Sequence, residues 1–449
     1  MTNIIEKFAY FLILIIPIAL ITGPAIPDIS ISLVGISFLL IFYLKKNLTY
    51  KNTEIWVKIS LIFWIYLIII SLFSENKYLA YRDAIIFIRI ILIPIFLYYW
   101  LLNNNKKIKQ FSFLIFITVV FVSLDTFYQF TNYSPPSGFG KDIFGIYPSE
   151  EFYGRLSGPF KDLVPGAFVS KFALFGLIFI FEYFKDKKKL LVISISYLTL
   201  AGFITYISGE RMAQATFLLG LLFLSIFYNK KRIIFIVSLL FIFLSIILVN
   251  KIHPIYNDYT VIQSSPYHLG LKIEKTYECE RSTTKKCKKI LSVQPEFIEV
   301  LKNFRYSAYG QIYSLALKMY KDHPLQGIGL NNFYYLCKND ERYKDSIKEY
   351  SSESQFIIKD CVSHPHNFYL QWLVEAGIFG LVLFIIYVLS LFYFIIIKSL
   401  SSYKFISLST LIIIFWPIMS TGSLLKNWMG VSTFYILGIC LSLTKLKQK

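Results

Sequence analysis

The chain has 449 residues, 56% hydrophobic and 18% aromatic, a mean hydropathy of +0.57 and a formal net charge of +19. That much apolar surface excludes an ordinary soluble domain and makes this an integral membrane protein. The excess Lys and Arg collects in short breaks between apolar runs, so it marks membrane orientation and gives no sign of nucleic acid as a partner.

In chain order, apolar runs near the roughly 20 residues that cross about 30 Å of hydrocarbon fall at 8–23, 29–44, 55–73, 84–102, 111–130, 165–184, 190–208, 211–228, 233–250, 367–397, 404–422 and 428–443. They predict an all-α polytopic membrane protein with about 12 transmembrane helices. "TGPAIPDIS" after the first run reads as a turn without a small-residue cleavage site, so that run is expected to remain a membrane helix. Alternate loops carry Lys45, Lys46, Lys51 and Lys58; Lys106, Lys107 and Lys109; Lys185 and Lys187 to Lys189; Lys230 to Arg232; Lys398 and Lys404; and Lys445, Lys447 and Lys449. Short basic loops resist translocation, so this parity predicts cytoplasmic N- and C-termini and an even number of spans.

Two long loops then lie outside, at about 131–164 and at 251–365, between the ninth and tenth helices. The chain divides into 1–250 with nine helices, 251–365 as the large outer loop, and 366–449 with the last three helices. Four of the five cysteines, Cys279, Cys287, Cys337 and Cys361, lie in the large loop. In an oxidising compartment they read as disulfides, and of the three pairings the neighbours Cys279–Cys287 and Cys337–Cys361 are favoured. Cys361, His364 and His366 offer soft ligands, but no cluster at a recognised spacing completes a site, so neither a metal nor another cofactor is expected. "SAYGQIYSLALKMYKDHPLQGIG" places Ala308, Ile312, Leu315, Leu317 and Met319 near helical spacing before a His-Pro stop, which predicts one amphipathic helix.

Topology sets the unusual residues in depth. Arg211 lies in a short outer turn, Arg305 in the large loop, and His366 where that loop re-enters the membrane, all three at one height. A guanidinium forks onto phosphate oxygens, and a histidine takes a proton near neutral pH. The set suits a reaction on a lipid pyrophosphate, in which Arg neutralises the leaving phosphate and His deprotonates the attacking hydroxyl. Each also has a plain reading: Arg211 snorkelling to headgroups, Arg305 as loop surface, His366-Asn367 as a helix cap. Arg82 and Arg89, seven residues apart on one helical face, and Arg155 and Lys161 in an outer turn are further phosphate or sugar contacts, against headgroup anchoring. Glu375, well inside the tenth run, needs a partner. No P-loop, HExxH, GxSxG or DxD pair is present, so the energy must come from the substrate.

These residues carry a likeness. His366-Asn367, nine residues, Gly377, two residues and Gly380 resembles the signature of bacterial O-antigen ligases and the wider ligase/polymerase superfamily. "SGERMAQATFLLG" is similar to that family's Arg-bearing outer turn, "KMYKDHPLQGIGLNNF" to its Pro-Leu-x-Gly-x-Gly element and "GRLSGPFKDLVPGAFVS" to its Gly-Pro-Phe element. The resemblance implies a metal-independent membrane glycosyltransferase of the GT-C type in the bacterial inner membrane. It would transfer glycan from undecaprenyl pyrophosphate to lipid A-core on the periplasmic face, in contact with membrane lipids. His366 then matches the proposed base and Arg211 an essential phosphate-binding arginine. The family's second arginine usually stands about four residues before a Trp; Tyr309 and Tyr313 hold those two positions here, and Arg305, one turn earlier, is the expected substitute. His364 is extra. An O-antigen polymerase, with a lipid-linked glycan as acceptor, is the nearest alternative, and a transporter of lipid-linked sugar is a more distant one.

Overall fold

The computed structural model describes residues 2–44, 53–133, 139–148, 155–162, 164–256, 260–264, 271–279, 282–293, 297–302, 304–344, 361–399, 401–418 and 420–446, with backbone alone in the parts of 260–299. The apolar runs form α1 (Thr2–Ala19), α2 (Ala25–Leu44), α3 (Ile55–Ile70), α4 (Lys77–Phe96), α5 (Asn105–Thr131), α6 (Pro165–Tyr183), α7 (Lys187–Ile207), α8 (Arg211–Phe227) and α9 (Arg232–Ile252). After them come three strands, β1 (Thr260–Ser264), β2 (Leu271–Cys279) and β3 (Ser282–Val293), then α10 (Phe297–Lys302), α11 (Ala308–Asp322) and α12 (Asn332–Asn339). The chain ends in α13 (Phe368–Lys398), α14 (Lys404–Phe415) and α15 (Asn427–Ser442). Among the described residues ten of these helices are long and apolar enough to cross a membrane, and the shorter α8 and α14 fall where two further spans were expected. The protein is therefore a multi-pass membrane protein built on helices. The large loop adds an antiparallel sheet in the order β1-β2-β3, which the helical reading did not anticipate.

Local chemistry starts several helices. Asn76 accepts from the Leu79 amide (3.1 Å), Asp186 from Lys189 (2.7 Å) and Asn367 from Leu370 (3.0 Å), each satisfying an amide that the first turn leaves without a partner. The expected amphipathic helix is α11, which buries Ile312, Leu315, Ala316 and Met319 on one face; Leu317, assigned to that face from spacing, points outward.

The residues sort into two compact units, Met1–Phe111 with Ala308–Ser352 and Ile357–Lys449, and Ser112–Ser307 with Glu353–Phe356. The first is centred on Trp372, whose ring meets Phe63 edge-on at 4.9 Å and Phe87 at 5.8 Å. In the second, α6 is buried along nearly its whole length.

Two departures from regular helix shape the first unit. At Gly377 (φ 69°, ψ −173°) α13 breaks. The backbone of 324–329 lies in the gap: Ile328 N–H donates to Val374 O (2.9 Å), Gly329 N–H to Glu375 O (3.0 Å) and Ile378 N–H to Pro324 O (3.0 Å), while the Tyr66 hydroxyl donates to Ala376 O (2.7 Å). Carbonyls released by the break are taken up by protein groups, which is what a low-dielectric surround demands. The second departure is α14, expected over 404–422. It stops at Phe415, before Pro417, and at about 18 Å is too short to span about 30 Å of hydrocarbon. The strap that follows, 416–418 and 420–426, is held by α13: Asn367 Nδ2 donates to Pro417 O (2.8 Å), the Tyr369 hydroxyl to Phe415 O (2.7 Å), and Gln371 accepts from Leu424 N–H (3.3 Å) and donates to Ser423 Oγ (2.7 Å).

Candidate active site

His366 lies one residue before the cap of α13, with a backbone φ of 54°, a left-handed conformation that side-chain-bearing residues seldom adopt. Pro365 precedes it, and the His366 carbonyl accepts from Thr421 N–H (2.8 Å), so the strap fixes the strained backbone. The His364 ring lies 4.1 Å from the His366 ring, and the Tyr309 ring meets His366 at 5.9 Å and 70°. Tyr313, one turn along α11, is hydrogen-bonded to the Asn367 side chain. Tyr309 thus faces His366 directly. Burial lowers the pKa of His366; burial first, then the nearby His366 and Lys426, pushes His364 down to about 3. Both shifts favour the neutral imidazole, the form that accepts a proton.

Beside this mouth, in the same unit, lies a cavity of about 440 Å³ lined by Arg82, Asp83, Arg89, Asn331, Lys426 and Trp428, with Pro24 and Asn427. Arg82 and Arg89 share it, as their spacing on α4 requires. Neither is idle: Arg82 pairs with Asp83 (2.8 Å), and Arg89 with Asp28 (2.6 Å) and Asn427 (2.9 Å). Three cations against the carboxylates of Asp83 and Asp28 still leave the cavity positive, with Lys426 as the excess charge. Glu375, buried, accepts from Gln371 Nε2 (3.1 Å), and Asp83 and Lys426 lie within electrostatic range of it.

The second unit carries the other predicted arginines. Arg211 opens α8 and is partly buried, directly after Glu210. Glu210 caps α6 across 43 residues, accepting from Ala167 N–H (3.0 Å). Burial raises its pKa to about 7 against the opposing pull of Arg155. Residues 155–160 reach this turn through Leu156 N–H to Ser208 O (3.3 Å), while Gln129 accepts from Ser157 N–H (3.0 Å) and Gly158 N–H (2.9 Å). Arg155 is thereby brought to the Arg211 turn. Lys161 is exposed on the following bend, and Arg305 is exposed in the turn Phe304–Tyr306.

Cys337 and Cys361 form the expected disulfide and join α12 to the approach to His366. Cys279 and Cys287 stand on β2 and β3, and their side chains lie outside the described residues. Among the described residues no group of three or more His, Cys, Asp or Glu is placed to hold a metal. Sequence reading passed over Lys426 and Glu210. Lys426 fell in the short break between the last two expected spans, and Glu210 stood in the shadow of its neighbour Arg211.

Residues 196–385 match the family described as O-antigen ligase. Three of the four family-like elements fall inside that range, and the Gly-Pro-Phe element precedes it. No curated protein matches the chain significantly.

Proposed function

We propose, from the match of residues 196–385 to the O-antigen ligase family, that the chain is a glycosyltransferase-like membrane enzyme of the ligase/polymerase superfamily and, within it, an O-antigen ligase. In this reading it moves glycan from undecaprenyl pyrophosphate to lipid A-core at the periplasmic face of the inner membrane, with both termini cytoplasmic and without a metal. An acceptor hydroxyl attacks the anomeric carbon, the bond from that carbon to the pyrophosphate oxygen breaks, and the bonding electrons leave with the pyrophosphate. His366 takes the hydroxyl proton. Arg211 and Arg305, supported by Arg155 and Lys161, neutralise charge on the departing group. Arg82 and Arg89 bind substrate phosphate or sugar in the cavity, and His364 packs beside the base.

The observation that carries the reading is the geometry of His366. A neutral imidazole is held by strained backbone at the mouth of a membrane helix, in the same unit as a cationic cavity. A base fixed at that mouth suits an acceptor that is itself membrane-anchored. Complementation of a ligase-null and a polymerase-null strain side by side tests it. Polymer attached to lipid A-core in the first strain is the expected result. Restored chain length in the second strain, with no attachment in the first, would replace the ligase by the polymerase.

A further inference from the structure

The loop after α5 does not leave the helix as an aqueous connection would. Residues 139–148 fold back along it: Asn132 Nδ2 donates to Lys141 O (3.2 Å), Ile143 N–H to the Asp125 carboxylate (2.9 Å), and the Phe144 ring reaches Phe121 at 6.0 Å. Asp125 and Phe121 stand six and ten residues before the end of α5, about 9 and 15 Å along its axis. The turn meets several of its polar groups internally, with Ile146 N–H on the Asp142 carboxylate (2.7 Å), Gly145 N–H on Asp142 O (3.1 Å), Asp142 N–H on Ile146 O (2.9 Å) and Gln129 Nε2 on the same carbonyl (3.4 Å). Asp125 and Gln129, both wholly buried, would be costly in a membrane helix without such work to do.

The outer side of the turn is apolar and uncharged. Ile143, Phe144, Ile146 and Tyr147 are 56%, 61%, 41% and 62% exposed, and they continue the exposed stripe of α5 made by Ile117, Leu124 and Tyr128. At the base of the turn Lys141 Nζ lies 5.2 Å from the Tyr147 ring, the cation and aromatic pair typical of a membrane interface. We propose that residues 141–147 form a hairpin whose apolar side chains dip among the lipid acyl chains, while its backbone, bonded in part to itself and to α5, stays at the membrane interface. Through Gln129 the hairpin also fixes Ser157 and Gly158, so the Gly-Pro-Phe element takes its height from the bilayer.

Full-length protein in phospholipid nanodiscs, spin-labelled at Phe144→Cys or at Lys187→Cys with the parent signal subtracted, tests this through collisions with oxygen and with a water-soluble nickel chelate. An oxygen-to-nickel ratio several-fold higher at 144 than at 187 is expected. Equal ratios overturn the proposal. A second readout avoids cysteine: fluorescence added by Tyr147→Trp should be quenched by bromines on the acyl chains, and an unquenched signal also overturns it.

Discussion

Gly327 and Gly377 meet backbone to backbone: a Cβ on Gly327 would stand 2.5 Å from the Gly377 nitrogen and 2.6 Å from Val374 O, and one on Gly377 would collide with Leu325 O. Both have φ near +70°. Alanine at either position costs about 1–2 kcal/mol in left-handed backbone alone, with the steric conflict added. Gly327→Ala and Gly377→Ala should each lower thermal stability in detergent and reduce transfer. Gly35→Ala, at a helical glycine with nothing within 4 Å, should do neither. Unchanged unfolding curves for the first two would show that the inserted segment does not hold the helix break.

The two histidines should separate in a transfer assay with lipid-linked donor and acceptor. His366→Ala should lose on the order of 10²–10⁴-fold in turnover, as for a missing general base, while folding is kept. His364→Ala should stay within about tenfold by the same measure. Because the His366 pKa is lowered, the acid limb of the wild-type rate should fall below pH 6.5. Near-normal turnover of His366→Ala would leave His366 with only a structural place beside the Asn367 cap.

Stability should fall at both ends of the pH range for opposite reasons. His364, lowered to about 3, binds its proton more readily unfolded, so its contribution is whole above about 6.5 and is lost as pH drops toward 3. Glu210, raised to about 7, binds its proton more readily folded, so its contribution is whole below about 4.5 and is lost as pH rises through 7. Glu210→Gln should flatten the unfolding-temperature profile between pH 5 and 8. A profile as steep as wild type would assign the alkaline loss elsewhere.

Charge and fork geometry can be told apart in the cation set. Arg211→Lys keeps the charge but loses the planar donors, and should remain impaired in turnover. Lys426→Gln should raise KM for a lipid substrate on the order of tenfold, the scale of one charge-assisted contact, with kcat little changed. A fall in kcat alone for Lys426→Gln would remove the cavity from ground-state binding. Chelator should leave every rate unaltered.

The Cys337–Cys361 bridge closes a separation of 24 residues, which corresponds to about 3 kcal/mol of chain entropy. Cys337→Ser should lower the unfolding temperature and bring the single variant into line with Cys337→Ser/Cys361→Ser. A single variant less stable than the double, by calorimetry, would point to a strained or reactive leftover thiol instead.

The sequence by itself determined the membrane class and the positions of most helices, because hydropathy and local spacing act over one helix at a time; it also singled out His366 as the candidate base. The Cys337–Cys361 pairing was also legible, since neighbours in one long loop are the shortest closure. The alternation in "LKIEKTYEC" announced β2 and was passed over beside the longer helical signals. Tertiary structure alone decided the rest. Nothing near Gly377 says that carbonyls there will be taken by residues 328 and 329, nor that α14 will end early and leave a strap to hold the His366 carbonyl and carry Lys426. Hydrogen-bond partners for a broken helix are found across more than 40 residues of chain, and only packing brings them to about 3 Å.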